Sequence, residues 1–300
     1  MNTESHHAAR STQHAAPPDD VAREAALAAL VDRWTAHMRW RKDHDRWRED
    51  RLWQEETQTR RLQALERFAG SLAATRVLDI GSGMGGFLVA AANTGVAAVG
   101  VEPHADYGTI TRLRAARYRL VPALARAMGE HLPFRAATFD AVLAQDIIEH
   151  VRNPDDVLRE IARVLRPGGI ALVTGINRFA WRDPHYHLHG LNYLPRPLGE
   201  RVVGAMGRTK AGAAFADAQR LSEMYYDTYV GFARRAEAAG LAMRDVRELS
   251  LTDAARTPPG LRGRILALAR RAGIALPLYR LYRFAALGTF EAVLYKSLSG

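Results

Sequence analysis

A short apolar segment that ends abruptly in glycines constrains the fold of this chain more than any other stretch. Val77, Leu78 and Ile80 form the apolar part, and a second apolar run, 87–92, follows glycines at positions 81, 83, 85 and 86. This order predicts a buried parallel strand, a tight turn and a helix that packs back onto the sheet. Glycine lets the backbone approach a ligand closely, and a helix N-terminus offers N–H groups that have no partner within the helix. The segment therefore predicts a site for a nucleotide-like ligand.

Strand-like and helix-like patterns alternate after this segment, which predicts a doubly wound α/β domain over residues 71–300. The clearest helix, 155–165, begins after a proline, ends before Pro-Gly-Gly, and carries its apolar residues on one face. Predicted strands lie at 76–81, 96–102, within 120–128, and at 139–145, 170–174, 241–249 and 290–296.

The first 70 residues differ in pattern from the predicted sheet domain. Residues 1–20 are polar and rich in His, Ser and Pro, which predicts a disordered tail without the apolar core of a signal peptide. Residues 21–70 carry apolar side chains at three- and four-residue steps, which predicts a cap of two or three helices. The tryptophans of this cap either pack on the main domain or belong to a lid over a substrate pocket.

Two insertions interrupt the predicted α/β alternation. Residues 177–224 are too long for an ordinary connection and are predicted to form a substrate lid. Residues 252–288 are predicted to form two helices broken at Gly273 and Pro277, with no acid between Asp253 and Glu291. Such a basic amphipathic pair is typical of a lid with solvated arginines, of membrane-surface contact or of nucleic-acid contact. The arginines are Arg256, Arg262, Arg264, Arg270, Arg271, Arg280 and Arg283.

The composition limits the chemistry and the location of the protein. The formal net charge is +10, which reflects either an arginine-rich proteome or an anionic partner. The absence of cysteine excludes disulfides, thiolate zinc sites and a cysteine nucleophile. No apolar run reaches the ~18 residues of a membrane span. We expect a cytoplasmic protein, with peripheral membrane contact through 256–287 as an alternative.

The glycine turn fits some nucleotide sites better than others. A phosphate-binding P-loop requires a lysine after its glycines, and this turn has none. The dinucleotide pattern is met by Gly81, Gly83 and Gly86, so the glycines alone do not exclude NAD. Asp79, however, stands two residues before the first glycine, and its negative charge suits a cationic ligand better than a pyrophosphate.

Several blocks in the same order resemble the class I S-adenosylmethionine-dependent methyltransferases, in particular the small-molecule enzymes of the ubiquinone and menaquinone type. The resemblance runs from about Arg76 to Ile176 and continues in the closing strands. It implies a seven-stranded, mostly parallel sheet with an antiparallel last strand, and S-adenosylmethionine bound at the carboxyl ends of the strands. The blocks are Val77–Gly85, Val99–Pro103, Glu130–Phe134, Phe139–Asp140, Ile148–Val151 and Arg163–Gly169.

The resemblance also implies roles for individual residues. Glu102 is expected to accept hydrogen bonds from the cofactor's ribose hydroxyls, although a carboxylate there can also cap the following helix. Asp79 is expected to orient the turn and the methionine amino group. Met128 stands where the family usually has an aspartate, which leaves Gly129 or Glu130 to hold the adenine amine. The predicted cofactor residues are Asp79, Gly81, Ser82, Gly83, Gly85, Glu102, Pro103, Gly129, Glu130, His131, Leu132, Gln145 and Asp146.

Histidines are the candidate bases for an acceptor that loses a proton. His150 follows the fourth predicted strand on the cleft side, where it serves either as a base or as a loop support. His185, His187 and His189 alternate, so on an extended segment they would share one face. We interpret His185 or His187 as a substrate-facing base or donor, with loop packing as the alternative. Three histidines can also bind a metal, but the sequence offers no further reason for one and we expect none.

These features together favour S-adenosylmethionine-dependent methylation of a small or lipid-like acceptor, most simply at oxygen. A tRNA or other nucleic-acid methyltransferase is the alternative that the positive charge favours, although no known RNA-binding module accompanies it. A non-catalytic binding module of the same fold and, more distantly, an NAD-dependent dehydrogenase are also compatible with the glycine turn. The sequence leaves the acceptor and the oligomeric state open.

Overall fold

The computed structural model of the protein describes residues 18–209, 220–253, 257 and 259–298. Most of the predicted disordered tail, part of the first insertion (210–219) and Arg256 lie outside the described residues. The strands, in chain order, are β1 Arg76–Ile80, β2 Ala97–Val101, β3 Ala123–Ala125, β4 Phe139–Ala144, β5 Leu165–Ile176, β6 Leu241–Asp245 and β7 Thr289–Lys296.

The seven strands form one sheet in the order β3-β2-β1-β4-β5-β7-β6. β1 pairs in parallel with both β2 and β4, and β7 pairs antiparallel with β5 and β6. The predicted α/β class, with a seven-stranded and mostly parallel sheet, is confirmed. The chain winds in opposite directions on either side of β1 and β4, and an open α/β sheet binds its ligands at such a switch point. The glycine turn after β1 lies at this point.

Eleven α-helices surround the sheet in the described part of the chain. The buried residues of α6 recur at the three- and four-residue spacing of an amphipathic helix, and Asn153 caps its first turn. The helices are α1 Pro18–Thr35, α2 His44–Leu52, α3 Gln54–Ala69, α4 Gly86–Asn93, α5 Ala105–Ala116, α6 Pro154–Val164, α7 Arg196–Ala205, α8 Tyr229–Ala238, α9 Val246–Thr252, α10 Leu261–Arg271 and α11 Ala275–Ala285.

The three N-terminal helices pack directly on the sheet domain. Leu27 and Val31 of α1 are fully buried against Tyr107 and Ile110 of α5. A polar network adds to this contact, because the buried Arg114 of α5 donates hydrogen bonds into the N-terminal helices. The helical cap and the glycine turn therefore belong to one packed body.

The buried guanidinium of Arg114 connects three segments. Its Nε donates to the carbonyl of Met84 in the glycine turn at 2.9 Å. Its other nitrogens donate to the carbonyls of Leu52 and Arg51, and it forms an ion pair with Glu55. Arg114 and the carboxylate of Glu55 are almost completely shielded from solvent. The pair therefore anchors the cap to the turn that the cofactor is expected to contact.

Three boundaries differ from the predicted ones. β6 ends at Asp245 rather than at 249, because the Asp245 carboxylate accepts the N–H groups of Arg247 and Glu248 and starts α9 there. β5 begins at Leu165, with a register shift against β4 before regular pairing resumes at Ile170. Pro277 does not interrupt a helix: it lies in the first turn of α11, where its missing N–H leaves no bond unmade.

Candidate functional site

A cleft of about 720 Å³ opens at the carboxyl ends of β1, β2 and β4. Its floor is the glycine turn, and one wall consists of side chains from α1, α2 and α3. A second wall comes from the segment after β4 and from the loop around His185. The cleft is within the size range of small-ligand sites and lies at the topological switch point. It is the candidate functional site.

The glycines of the turn are required by the backbone and by close packing. Gly81, Gly83 and Gly85 all have positive φ angles, of 69°, 52° and 74°. A Cβ atom at Gly81 would lie 2.2 Å from a methyl group of Ile147, and one at Gly85 would lie 2.4 Å from the methyl group of Thr111. Gly85 itself shapes the turn rather than lining the cleft, which Gly81, Ser82 and Gly83 do. Larger residues would therefore displace the turn.

Glu102 lies directly after β2 and holds the turn that follows the neighbouring strand β1. Its two carboxylate oxygens accept the N–H groups of Gly83 at 3.0 Å and of His104 at 2.9 Å. The second bond places the carboxylate before His104, as in the alternative role, but it holds the N–H of the residue that precedes α5 and none within the first turn of the helix. Glu102 and Pro103 also line the cleft. Support of the backbone around the turn and contact with a ligand are therefore compatible roles for this one carboxylate.

Asp79 is a buried acid in the otherwise apolar strand β1, with 4% of its surface exposed. Burial raises the pKa of its carboxyl group from the usual 3.8 to about 7; Arg61 opposes this rise and Glu102 adds to it. A cationic ligand group beside Asp79 would favour the ionised form. The position therefore suits the positive ligand that the sequence predicts.

Asp79→Asn is expected to stabilise the unliganded protein in a pH-dependent manner. An acid whose pKa is higher in the folded state destabilises the fold as it ionises, here progressively from about pH 4 to about pH 7. The variant's gain in unfolding free energy over the wild type should grow through that window and then level off. Denaturant titrations from about pH 5 to about pH 8 measure this difference. A difference that does not change with pH would contradict the pKa assignment.

The segment predicted to lie beside adenine contributes fewer residues to the cleft lining than expected. Gly129 and Glu130 line the cleft, and Glu130 accepts the N–H of Arg152 at 2.9 Å. His131 and Leu132 do not line it. Their N–H groups already donate to the carbonyl of Met128 at 3.2 Å and to Glu160 at 2.7 Å. These two N–H groups are therefore engaged within the protein, and the contact of His131 and Leu132 with adenine stays a prediction.

The end of β4 places two polar side chains in the cleft. Gln145 donates to Glu291 of β7 at 2.9 Å. Asp146 has a positive φ of 59°, and its N–H donates to the hydroxyl of Thr174. Its carboxylate forms an ion pair with Arg61 of α3 at 2.8 Å, so the pair connects the cap to the sheet beside the cleft. Both predicted residues therefore reach the site, and their part in cofactor binding stays a prediction.

Sequence reasoning missed an arginine that lines the cleft from the N-terminal cap. The guanidinium carbon of Arg51 lies 5.7 Å and 5.4 Å from the ring centroids of Trp34 and Trp47. Its buried Nε has no hydrogen-bond partner among the described residues. Burial lowers its pKa from the ordinary value for arginine. The alternation of Trp and Arg in the cap was the available signal, but a cation–aromatic stack facing a cleft requires the tertiary fold.

The three alternating histidines do not share a face, so that prediction is wrong. The Asp183 carboxylate accepts the N–H groups of His185 and Tyr186, and the N–H of His187 donates to the Asp183 carbonyl. This turn replaces the expected extended segment, and His187 has a positive φ of 54°. Only His185 of the three lines the cleft, together with His150.

The other two histidines face aromatic side chains outside the cleft lining. His187 lies edge-on to Trp40, with ring centroids 5.5 Å apart, and its Nε2 is 3.3 Å from Arg41. Burial and Arg41 lower the pKa of His187. His189 lies beside Trp181. A role for His187 as the acceptor's base therefore has no geometric support, whereas His150 and His185 are suitably placed.

The sequence of the central strands matches a known family. Residues 78–173 match the family described as the methyltransferase domain. This segment is a class I methyltransferase domain. This segment supplies the glycine turn, Glu102 and the residues after β4 to the cleft. The N-terminal cap and His185 also line the cleft but lie outside residues 78–173.

Relatives of known sequence agree with this assignment, but each match covers only part of the relative's length. An uncharacterised methyltransferase of Mycobacterium leprae is 39% identical over 101 residues, which are 33% of this chain and 36% of the relative. The ubiquinone biosynthesis O-methyltransferase of Bordetella avium is 32% identical over 124 residues, 39% of this chain and 49% of the relative. The chain thus spans between about a third and a half of these curated relatives.

A solved structure shows the same fold as this methyltransferase domain. Phosphoethanolamine N-methyltransferase 2 from Haemonchus contortus superposes with a TM-score of 0.50 at 18% sequence identity. The match covers 80% of this chain and 52% of the other. At that identity the likeness concerns the fold alone. The resemblance to class I methyltransferases is confirmed, and the roles of individual site residues stay predictions.

Proposed function

We propose that the protein transfers a methyl group from S-adenosylmethionine to a small or lipid-like acceptor, at an oxygen atom. The observation that carries the proposal is the position of Glu102, a buried carboxylate that faces the cleft while bonded to the glycine turn at the switch point of a methyltransferase fold. The name of the Bordetella avium relative, an O-methyltransferase, supports oxygen as the methylated atom.

The cleft residues fit S-adenosylmethionine in size and charge. Glu102 would accept the ribose hydroxyls, and Asp79, close to its folded pKa at neutral pH, would receive the methionine ammonium group. When bound, the cofactor supplies an activated methyl group on a sulfonium. The chain's contribution is to align the acceptor and exclude water, which is worth roughly 7–11 kcal/mol in well-oriented reactions. His150 or His185 would accept the acceptor's proton, a contribution of roughly 10²–10⁴ in rate.

Isothermal titration of the purified chain with S-adenosylmethionine and, separately, with NAD tests this function. We expect saturable heat with S-adenosylmethionine only, because Asp79 beside the glycine turn would repel a pyrophosphate, whereas Glu102 suits the ribose of either ligand. Absence of S-adenosylmethionine binding would overturn the proposal, and binding without transfer of labelled methyl to extracted metabolites or lipids would favour a non-catalytic module. RNA binding that weakens steeply with salt would instead favour the nucleic-acid alternative.

The exposed surface of the second insertion supports a lipid-like acceptor. No helix in the described part of the chain is long and apolar enough to cross a membrane. Yet large apolar side chains are exposed along α10, α11 and the turn between them, and such a patch marks an interaction surface. These residues are Leu261, Ile265, Leu268, Ile274, Leu278, Leu281, Tyr282 and Phe284.

The arginines of this helix pair divide into two groups. Arg280 and Arg283 form ion pairs with Glu248, and Arg270 donates to backbone carbonyls around residue 251. These three stabilise the insertion against α9. Arg262, Arg264 and Arg271 are exposed, and none forms an ion pair with a described acidic residue. An exposed apolar strip flanked by unneutralised arginines suits an anionic lipid surface.

Sedimentation with lipid vesicles measures this contact. The chain should bind phosphatidylglycerol-containing vesicles more strongly than pure phosphatidylcholine vesicles, and less at high salt. Replacing both Leu261 and Leu268 with serine should reduce binding several-fold. Val230→Ser, which removes an exposed apolar side chain from α8, is the matched control and should leave binding unchanged. Equal binding by all three proteins would contradict the assignment of this surface.

A further inference from the structure

We propose that Glu149, His150 and His185 form a binding site for a divalent transition-metal ion of the Zn²⁺ type. The ligand atoms of these three side chains all lie within 4.8 Å of one another. All three residues line the cleft, so an ion held there would lie where the acceptor is expected. The inference deepens the proposed methyl transfer and rests on it for its chemical role, and it replaces the expectation that the protein binds no metal.

The three side chains lie close together and combine one carboxylate with two imidazoles. The Nε2 atom of His185 is 3.6 Å from Oε1 of Glu149. The rings of His150 and His185 lie edge to face, with centroids 5.2 Å apart. Two imidazoles and one carboxylate are a common set of protein ligands for zinc in catalytic sites, where a fourth position stays open to water or substrate. Imidazole nitrogens also disfavour Mg²⁺ and Ca²⁺, which prefer oxygen ligands.

The surrounding structure holds His185 in place. The Asp183 carboxylate accepts the N–H of His185 at 2.9 Å and that of Tyr186 at 2.6 Å, and it also accepts from Asn192 and from the hydroxyl of Tyr226. The ring of Tyr226 is stacked on His185. Asp183 is completely buried, so this turn has a fixed position. A fixed turn keeps the imidazole near its partners at a small entropic cost.

The other two ligands come from the segment after β4, which forms the same wall of the cleft. Glu149 and His150 lie in a short 3₁₀ turn, Ile148–His150, after β4. The carbonyl of Glu149 accepts the N–H of Tyr225, which ties this turn to the segment beyond the first insertion. Glu149 itself is 3% exposed. The cluster therefore brings together residues 149, 150 and 185 from two rigid turns, and the family match covers only the first of them.

A cation at this position would explain how an acceptor hydroxyl reacts at neutral pH. Coordination lowers the pKa of a bound hydroxyl and fixes the direction of its oxygen lone pair. Because both imidazoles would then hold the ion, neither would accept the proton as in the metal-free scheme above, and the hydroxyl proton would leave to solvent. The oxygen would form a bond to the methyl carbon, and the carbon–sulfur bond would break with its electron pair going to sulfur. The balanced products are the methyl ether, S-adenosylhomocysteine and a proton. The acceptor class implied is a phenol, an enol or a hydroxyl with a second oxygen near it.

Titration with Co²⁺ tests the site directly, because Co²⁺ takes Zn²⁺ positions and absorbs visible light when bound by a few protein ligands. The protein should first be stripped with a chelator and carry His6→Ala and His7→Ala, since those tail histidines can bind cobalt themselves. One equivalent of Co²⁺ should produce visible absorption bands, and Zn²⁺ should remove them. His150→Ala and His185→Ala should each weaken Co²⁺ binding by about 100-fold or more.

Matched variants separate a metal site from general disruption. His189→Ala removes an imidazole from the same loop but outside the cluster, and should bind Co²⁺ like the parent protein. Unfolding curves of all variants check that they fold, and His185→Gln provides a milder change if His185→Ala does not. Absence of a Co²⁺ spectrum, or an unchanged spectrum in His150→Ala and in the folded His185 variants, would overturn the inference.

The same protein distinguishes failure of the metal site from failure of the proposed function. Titration of S-adenosylmethionine in the presence of chelator reports on the cofactor cleft alone. Cofactor binding without a Co²⁺ site would overturn only the metal inference. A Co²⁺ site without cofactor binding would support the metal inference as a binding site and overturn the proposed methyl transfer.

Discussion

Glu55→Ala is expected to lower the free energy of unfolding by about 3–5 kcal/mol, because it leaves a buried guanidinium without its carboxylate. Arg114 is completely shielded from solvent and forms its ion pair with Glu55. Arg117, the second cation on Glu55, retains Glu24 as a partner, so the loss falls mainly on Arg114. Equilibrium denaturation in urea measures the change.

A surface glutamate on the same cap is the control for this prediction. Glu49 of α2 is 3.8 Å from Arg48, and its side chain is 42% exposed. Glu49→Ala should change the unfolding free energy by less than about 1 kcal/mol, because solvent screens an exposed pair. Similar losses for Glu55→Ala and Glu49→Ala would show that the buried network does not stabilise the fold. If Glu55→Ala does not fold, Glu55→Gln keeps the shape and should still be clearly less stable than Glu49→Ala.

Glu55→Ala should also weaken ligand binding in the cleft. Arg114 also donates to the carbonyl of Met84, which belongs to the glycine turn. A guanidinium that shifts toward solvent after loss of Glu55 would release that carbonyl. We therefore expect weaker cofactor binding in Glu55→Ala than in Glu49→Ala, measured under conditions where both proteins are folded.

Glu102→Ala is expected to weaken S-adenosylmethionine binding at least tenfold, which corresponds to at least about 1.4 kcal/mol. Charge-assisted hydrogen bonds to the two ribose hydroxyls are each worth about 1.5–3 kcal/mol. The carboxylate also accepts the N–H groups of Gly83 and His104, so its removal can loosen the turn as well. Titration calorimetry gives the dissociation constant, and a second ligand is needed to separate these two effects.

S-adenosylhomocysteine and its analogue without ribose hydroxyls provide that separation through a double cycle of protein and ligand changes. Wild-type protein should bind the complete ligand much more tightly than the analogue. Glu102→Ala should bind the two ligands about equally, because the partner of the hydroxyls is gone. If the variant keeps the full preference, Glu102 supports the turn and does not contact the ribose.

Residues 77–81 show why part of this site can be predicted from the sequence. Val77, Leu78 and Ile80 are apolar because both faces of a parallel strand are covered, and Gly81 follows because the turn has a positive φ and meets Ile147 closely. Glu102 ends the next apolar run because the chain there leaves the buried strand and reaches the cleft. The apolar run and the positive φ of the turn are local properties, so local pattern suffices to predict them, whereas the close contact with Ile147 is set by the tertiary fold.

The histidines show where the same reasoning failed. Alternation of His185, His187 and His189 predicts one shared face only if the backbone is extended. Hydrogen bonds to Asp183, itself held by Tyr226 and Asn192, fold the segment into a turn and separate the three rings. Partners that lie far apart in the chain decided this backbone, and no local pattern contains them.

By itself, the sequence determined the doubly wound sheet, the glycine turn and the carboxylates at its edge, because these depend on short-range periodicity and on the backbone freedom of glycine. Only the tertiary structure decided that Arg51 and the N-terminal helices wall the cleft. Only it brought His185 beside Glu149 and His150, across 36 and 35 residues of chain. Such groupings arise from long-range packing, in which buried pairs such as Arg114 and Glu55 set the positions of entire helices.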